Sequence, residues 1–122
     1  MALKIYHNPR CQKSRNGLEY LKNKGIEVVI RDYLKEPLTR KELNNLLLKL
    51  HISPDQLVRT QEDYFKKELK GRNFNPEEWI TILLENPKLL QRPIVEGRYK
   101  AVIANPPEEM ERLQEFKDCN QI

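Results

Sequence analysis

Cysteine is scarce in this sequence: two residues in 122, Cys11 and Cys119, at opposite ends of the chain. A chain of this length buries a real core without covalent staples, and two distant cysteines do not make a disulfide framework. A reducing compartment fits that usage, so the chain is expected to be cytoplasmic and any cysteine chemistry to be catalytic. Long apolar stretches are missing as well. No run approaches the roughly 18 residues of a membrane span, and no apolar segment behind a basic amino end reads as a signal peptide. The two histidines, His7 and His51, share no ligand spacing with the cysteines, so no metal site is expected. Nor does one charge dominate, since 22 Lys and Arg stand against 18 Asp and Glu, a net +4. The basic residues are spread along the chain without interleaved aromatics, which argues against a nucleic-acid ligand and is compatible with small anions. Repeats and low-complexity segments are also lacking.

What is present has a clear order. "LKIY" (3–6) alternates and ends in the turn signal "HNP", which predicts a strand leading into a loop. From Ser14 onward, Leu18 and Leu21 recur at helical spacing, and Gly25 stands where a left-handed cap ends a helix. "EVVIRDY" (27–33) is a β-branched run of strand length. Strand, helix and strand with short links predict a βαβ unit with parallel strands. The chain then turns helical over about 39–86. Thr39 and Glu42 form a capping box ahead of Leu43, Leu46, Leu47 and Leu50. Ser53 and Pro54 repeat a start signal, "EDYFKKEL" reads as a short helix, and Asn75 with Pro76 opens another whose apolar face is Trp79, Ile80, Leu83 and Leu84. Past Pro87, "PIVEGRYKAVI" is a hairpin about Gly97, hence an antiparallel pair. "NPPEEMERLQEF" predicts a final helix with Asn105 as N-cap and Pro106 at its first position, and a frayed tail from Lys117 that includes Cys119. The expected fold is α/β: a thioredoxin-like four-stranded mixed sheet, βαβ then ββα, in one domain carrying a helical insert.

The chemistry concentrates in "YHNPRCQKSR" (6–15). An ordinary thiol is mostly protonated at neutral pH, and the thiolate is the nucleophile. Three sources of positive potential converge on Cys11: the amino end of the helix, His7 in the preceding loop, and the side chains Arg10, Lys13 and Arg15. The same features hold anions, so one site can concentrate an anionic substrate and activate its attacker. Two readings of Cys11 stand open at this point, an activated nucleophile and a small core residue beside positive charge. His7 likewise either tunes the thiol or orients the loop. Ser14 occupies the place where a Cys-x-x-Cys pair would have its second cysteine, so an oxidised or adducted Cys11 needs a thiol from elsewhere. Its hydroxyl either hydrogen-bonds the sulfur or serves as a first-turn cap.

Three blocks in this order, "YHNPRCQKSRNGLEYL", "LVRT" (57–60) and "LLQRPIV" (89–95), resemble the glutaredoxin-linked arsenate reductase family over about residues 3–116. The resemblance implies that Cys11 attacks arsenate to form a thiol-arsenate adduct, that glutathione displaces the adduct as co-substrate, and that glutaredoxin reduces the resulting mixed disulfide. No tightly bound cofactor is implied, and a monomer is expected. Arg59 and Arg92 match anion-binding arginines, and Pro93 matches the proline that is cis in thioredoxin-like folds. His7 and Asn8 match loop residues beside the nucleophile, Ser14 a serine that contacts the sulfur, and Arg10 lies in the same block. Guanidinium groups suit the oxyanion because they pair with it through charge-assisted, directional hydrogen bonds.

The chain departs from the family at one position, where Asn105 replaces a third arginine ahead of the proline that begins the last helix. Asparagine donates a hydrogen bond but brings no charge. The loss of a charge-assisted contact costs about 1.5–3 kcal/mol of oxyanion stabilisation. Two alternatives are weighed against arsenate reduction. One is a thiol-disulfide or deglutathionylating enzyme with a non-arsenic substrate. The other is a non-enzymatic redox-linked regulator that binds RNA polymerase, although such proteins commonly use the Cys-x-x-Cys switch that Ser14 excludes.

Overall fold

A computed structural model describes residues 3–119. The chain divides into two compact units, one built from its ends, up to Glu36 and from Arg92 onward, and the other from Pro37–Gln91.

The first unit holds a four-stranded sheet of order β2-β1-β3-β4, formed by β1 (Leu3–His7), β2 (Val28–Asp32), β3 (Ile94–Glu96) and β4 (Ala101–Ile103). β1 and β2 run parallel, as a βαβ unit requires, in the register Leu3 with Val28 through His7 with Asp32. β3 pairs antiparallel to both β1 and β4, so the sheet is mixed and thioredoxin-like. The hairpin turns at Gly97, whose N–H donates to the Lys100 carbonyl at 2.8 Å. Helix α1 (Gln12–Asn23) connects β1 to β2, and Gly25 ends its overhang at φ 71°, the left-handed conformation that glycine adopts without steric cost. Leu3 and Ile5 of β1, Leu21 of α1, Val95, Val102, Met110, Leu113 and Phe116 share one core. Burying such side chains drives the collapse of the sheet onto its helices.

The final segment differs from its sequence expectation. Asn105 caps no helix: the Asn105–Pro106 bond is cis, Pro106 is extended at ψ 163°, and a 3-10 helix spans Pro107–Arg112. The reason lies in the second proline, because a residue followed by proline is driven out of the helical region, so Pro106 cannot begin the helix. Leu113 interrupts the path again with ψ 140°, and α4 is confined to Gln114–Cys119. The backbone is therefore helical through Lys117–Cys119, where fraying was expected. The remainder of that tail and the Cys119 side chain lie outside the described residues.

The second unit is helical. α2 (Arg40–Leu50) starts at the complete Thr39–Glu42 capping box and buries Leu43, Leu46 and Leu47. α3 (Pro76–Glu85) starts at a second complete box, Asn75 with Glu78, and buries Ile80 and Leu83. The guanidinium of Arg40 ties the two starts together through Glu77 and Thr81. Two expected helices are shorter or wider turns: Pro54–Leu57 is one 3-10 turn, and Phe65–Leu69 is a π-helical turn. A single bridge of Val58 with Leu90 clasps the unit, flanked by Arg59 N–H to Leu89 C=O at 2.7 Å and Gln91 N–H to Leu57 C=O at 2.9 Å.

Candidate active site

The loop from β1 to α1 is held by one buried asparagine. Asn8 C=O accepts from Cys11 N–H at 3.0 Å, Asn8 Oδ1 accepts from Arg10 N–H at 3.0 Å, and Asn8 N–H donates to Ser14 Oγ at 2.9 Å. Arg15 adds an outer tie by donating to the Pro9 carbonyl at 2.9 Å. These bonds place Cys11 as the N-cap of α1 with an extended backbone, φ −100° and ψ 124°. Its side chain therefore stands at the end of the helix whose first N–H groups have no carbonyl partners.

Burial pushes the Cys11 thiol up, and that push is overcome. The Arg92 guanidinium hydrogen-bonds the sulfur and adds its charge, and the backbone N–H groups of Ser14 and Lys13 act in the same direction, so the thiol lies below its ordinary value.

Two expectations about this stretch are corrected. The Ser14 hydroxyl is not directed to the sulfur. It is fully buried and bonded to His7 Nδ1 at 2.8 Å and to the Asn8 N–H, leaving the backbone N–H of Ser14 to face Cys11. His7 does not bring positive charge to the thiol at neutral pH. Burial lowers its pKa from the ordinary 6.5, and the charges of Arg15 and Lys22 reinforce this against the opposing pull of Asp32. Of its two open readings, loop orientation is the one that its contacts fit. The side chains of Arg10 and Lys13 point to solvent, and Arg15 is engaged with Pro9 and Gln12.

Pro93 follows a cis bond from Arg92 and is buried, with its carbonyl accepting from Ala104 N–H at 2.8 Å. Its ring lies against α1 at Gly17, where a Cβ would come within 2.7 Å of Pro93 Cγ. The sequence reading passed over Gly17. A glycine inside a helix costs about 1 kcal/mol relative to alanine, and that cost was the available signal for close packing. Cys11, His7, Asn8, Ser14, Arg92 and Pro93 thus form one cluster in the first unit. Asn105 follows β4 in the same unit and is exposed. Arg59 belongs to the second unit, where its half-buried guanidinium pairs with Glu62. Among the described residues no group of three or more His, Cys, Asp or Glu is placed to hold a metal ion, and no helix is long and apolar enough to cross a membrane.

A mixed sheet of order β2-β1-β3-β4 with a cysteine at the start of the helix that follows β1 defines the class, a thioredoxin-like fold. Comparison with known proteins narrows the class. The chain belongs to the ArsC family, whose pattern it matches over residues 6–113. It is 42% identical to YfgD, an uncharacterised protein of Escherichia coli, over 88% of this chain and 92% of YfgD. It is 38% identical to an arsenate reductase of Haemophilus influenzae, over 88% of this chain and 95% of that protein. An arsenate reductase of Vibrio cholerae has the same fold at a TM-score of 0.86 with 34% identity, over 93% of this chain and 98% of that one.

Proposed function

We propose that this chain is an oxidoreductase that reduces arsenate, with Cys11 as nucleophile, glutathione as co-substrate and glutaredoxin as partner. The observation that carries the reading is the pairing of Cys11 with Arg92: the guanidinium that lowers the thiol is also the type of charge-assisted donor that holds an oxyanion. In the proposed cycle the Cys11 thiolate attacks arsenic(V), forming an S–As bond as an arsenate oxygen leaves as water after protonation. The thiolate of glutathione then attacks Sγ. The S–As bond breaks with its electron pair moving to arsenic, which departs as arsenic(III), and a Cys11–glutathione disulfide remains. Glutaredoxin attacks the glutathione sulfur and returns Cys11 as thiolate. Ser14 in place of a second cysteine supports the need for this external resolution.

Arg92 offsets the repulsion between arsenate and the thiolate, and the Asn8-held loop keeps both in register. Arg10 and Asn105 are assigned to the rim of the oxyanion site, and Pro93 to the loop that faces it. Arg59 enters this role through the family resemblance. A coupled assay with arsenate, glutathione, glutaredoxin, glutathione reductase and NADPH tests the proposal. Turnover that vanishes in Cys11→Ser supports it, and NADPH consumption unchanged in that variant overturns it. The uncharged Asn105 favours one further reading, a deglutathionylating enzyme, for which mass spectrometry finds a glutathione adduct on Cys11 while arsenate turnover is absent.

A further inference from the structure

Helix α1 turns one stripe inward, Ser14, Gly17 and Leu21, all three buried and spaced as one helix face requires. Gly17 is the weak member of this stripe for helix formation, because alanine in its place would hold the helix better. Its backbone does not demand a glycine: it is helical, unlike Gly25 and Gly71, whose φ is positive. Space is what demands it. A Cβ there would stand 2.7 Å from Pro93 Cγ, while Pro93 Cβ at 3.7 Å and Ile5 Cδ1 at 3.8 Å would be in ordinary contact. The collision is thus with one atom of a closed ring, which no rotamer turns aside. Two carbons rest at about 3.5–4.0 Å, so a side chain at 17 requires the proline to withdraw by about 1 Å. Pro93 does not move alone. Its carbonyl accepts from Ala104 N–H at 2.8 Å, which ties the loop to the end of β4, and its nitrogen is joined to Arg92, whose guanidinium hydrogen-bonds the Cys11 sulfur. Cys11 in turn is the N-cap of the helix that carries Gly17. One helix therefore holds both the sulfur and the surface on which the loop of its arginine rests.

We propose that Gly17 is a positioning residue for the thiol: the Cβ it lacks is the space that lets the Arg92–Pro93 loop close on α1 and hold the guanidinium at the Cys11 sulfur. A hydrogen bond weakens steeply as its partners separate and misalign, so a withdrawal of about 1 Å loses this one while the fold persists. Residues 11, 17 and 92, far apart in the sequence, then act as a unit in activating the sulfur. Gly17 touches neither the thiol nor a substrate and works only through the seat it gives to Pro93. The inference concerns the thiol and not what the thiol attacks, so it stands apart from the arsenate reading.

The test is iodoacetamide alkylation of Cys11 against pH, in a Cys119→Ser chain so that a single thiol reports. Gly17→Ala moves the midpoint to higher pH, in the direction of Arg92→Gln, and slows alkylation at pH 7 about threefold or more. In an Arg92→Gln chain the same alanine moves the midpoint no further, because the contact it would disturb is already gone. Leu18→Ala, which trims the packing of the same helix against the core, provides the comparison: it lowers the urea midpoint and leaves the pH profile in place. Should Gly17→Ala lose its helical circular dichroism, the profile is taken in trimethylamine N-oxide, which favours the compact state. A midpoint unmoved by Gly17→Ala overturns the proposal, and so does a shift of the same size with Arg92 already replaced. A chain that stays unfolded in trimethylamine N-oxide overturns it as well, since the loop then does not yield to the added Cβ.

Discussion

Replacing Ser14 with alanine separates two roles that one residue combines at the start of α1. The hydroxyl is fully buried and joins His7 Nδ1 at 2.8 Å to Asn8 N–H at 2.9 Å. Alanine leaves both partners buried without that oxygen, and each such group costs about 1–3 kcal/mol. Alanine's better helix propensity returns at most about 0.5 kcal/mol. The expected net loss is about 2–5 kcal/mol, a large part of a total stability of about 5–15 kcal/mol, with a fall in Tm of about 10 °C or more. Urea denaturation followed by circular dichroism at pH 7 reads the first effect. The second role is carried by the backbone N–H, which alanine keeps. Alkylation of Cys11 by iodoacetamide, measured against pH under native conditions, should therefore retain a lowered midpoint in Ser14→Ala. A stability loss below about 0.5 kcal/mol would refute the buried network. A midpoint that returned to that of an ordinary thiol would show that the hydroxyl, and not the backbone, serves the sulfur.

Arg92→Gln removes the guanidinium that offsets burial, so the same alkylation profile should shift to higher pH, and an unshifted profile would remove Arg92 from the account of the thiol. His7 binds its proton less readily in the folded chain than in the unfolded one. Its neutral state therefore contributes stability that is complete above 6.5 and is lost as pH falls from there through the lowered folded value. His7→Asn should flatten this part of the dependence of urea midpoint on pH, and parallel curves for the two chains would contradict the buried neutral imidazole. Asn105→Arg restores a charge-assisted donor at an exposed position and should raise kcat/KM for arsenate roughly ten- to a hundredfold, worth about 1.5–3 kcal/mol; no gain in the coupled assay would place Asn105 away from the oxyanion.

Most of the fold was readable because its signals are local. The capping boxes at Thr39 and Asn75, the glycines at 25 and 97 and the β-branched run at 28–32 each act within a few residues. The reading failed where two local rules competed. "NPPEE" offers Asn105 as a cap and Pro106 as a first helical residue, but Pro107 overrides both by its steric demand on the residue before it. "EDYFKKEL" has helical composition, and composition does not distinguish a π turn from an α turn. At the site, the position of Cys11 at a helix start was legible, and so was the gathering of basic residues. Which of those charges reaches the sulfur was not, because Arg92 is brought in by the sheet from 81 positions away, while Arg15, four positions away, turns to Pro9. The hydroxyl of Ser14 was misassigned for the same reason: its partners His7 and Asn8 are supplied by the turn at the end of β1, whose geometry spacing alone does not convey.

The contrast between Arg92 and the backbone N–H groups bears on how such a site tolerates change. Activation delivered by the N–H groups of Lys13 and Ser14 is indifferent to the side chains at those positions, provided that the loop stays where Asn8 holds it. On the proposed function, the thiol is thereby insulated from substitutions at the rim of the oxyanion site, to which the asparagine at 105 is assigned. Substrate recognition has no such insulation, because it depends on side-chain charges arranged around the anion. The two functions of the site thus fail separately. On the proposed function, a chain that loses a rim arginine keeps a reactive cysteine and loses discrimination for its oxyanion. For this reason Cys11 reactivity and arsenate turnover have to be measured on the same variants: agreement between them across Arg92→Gln and divergence across Asn105→Arg is the pattern that this division of labour requires.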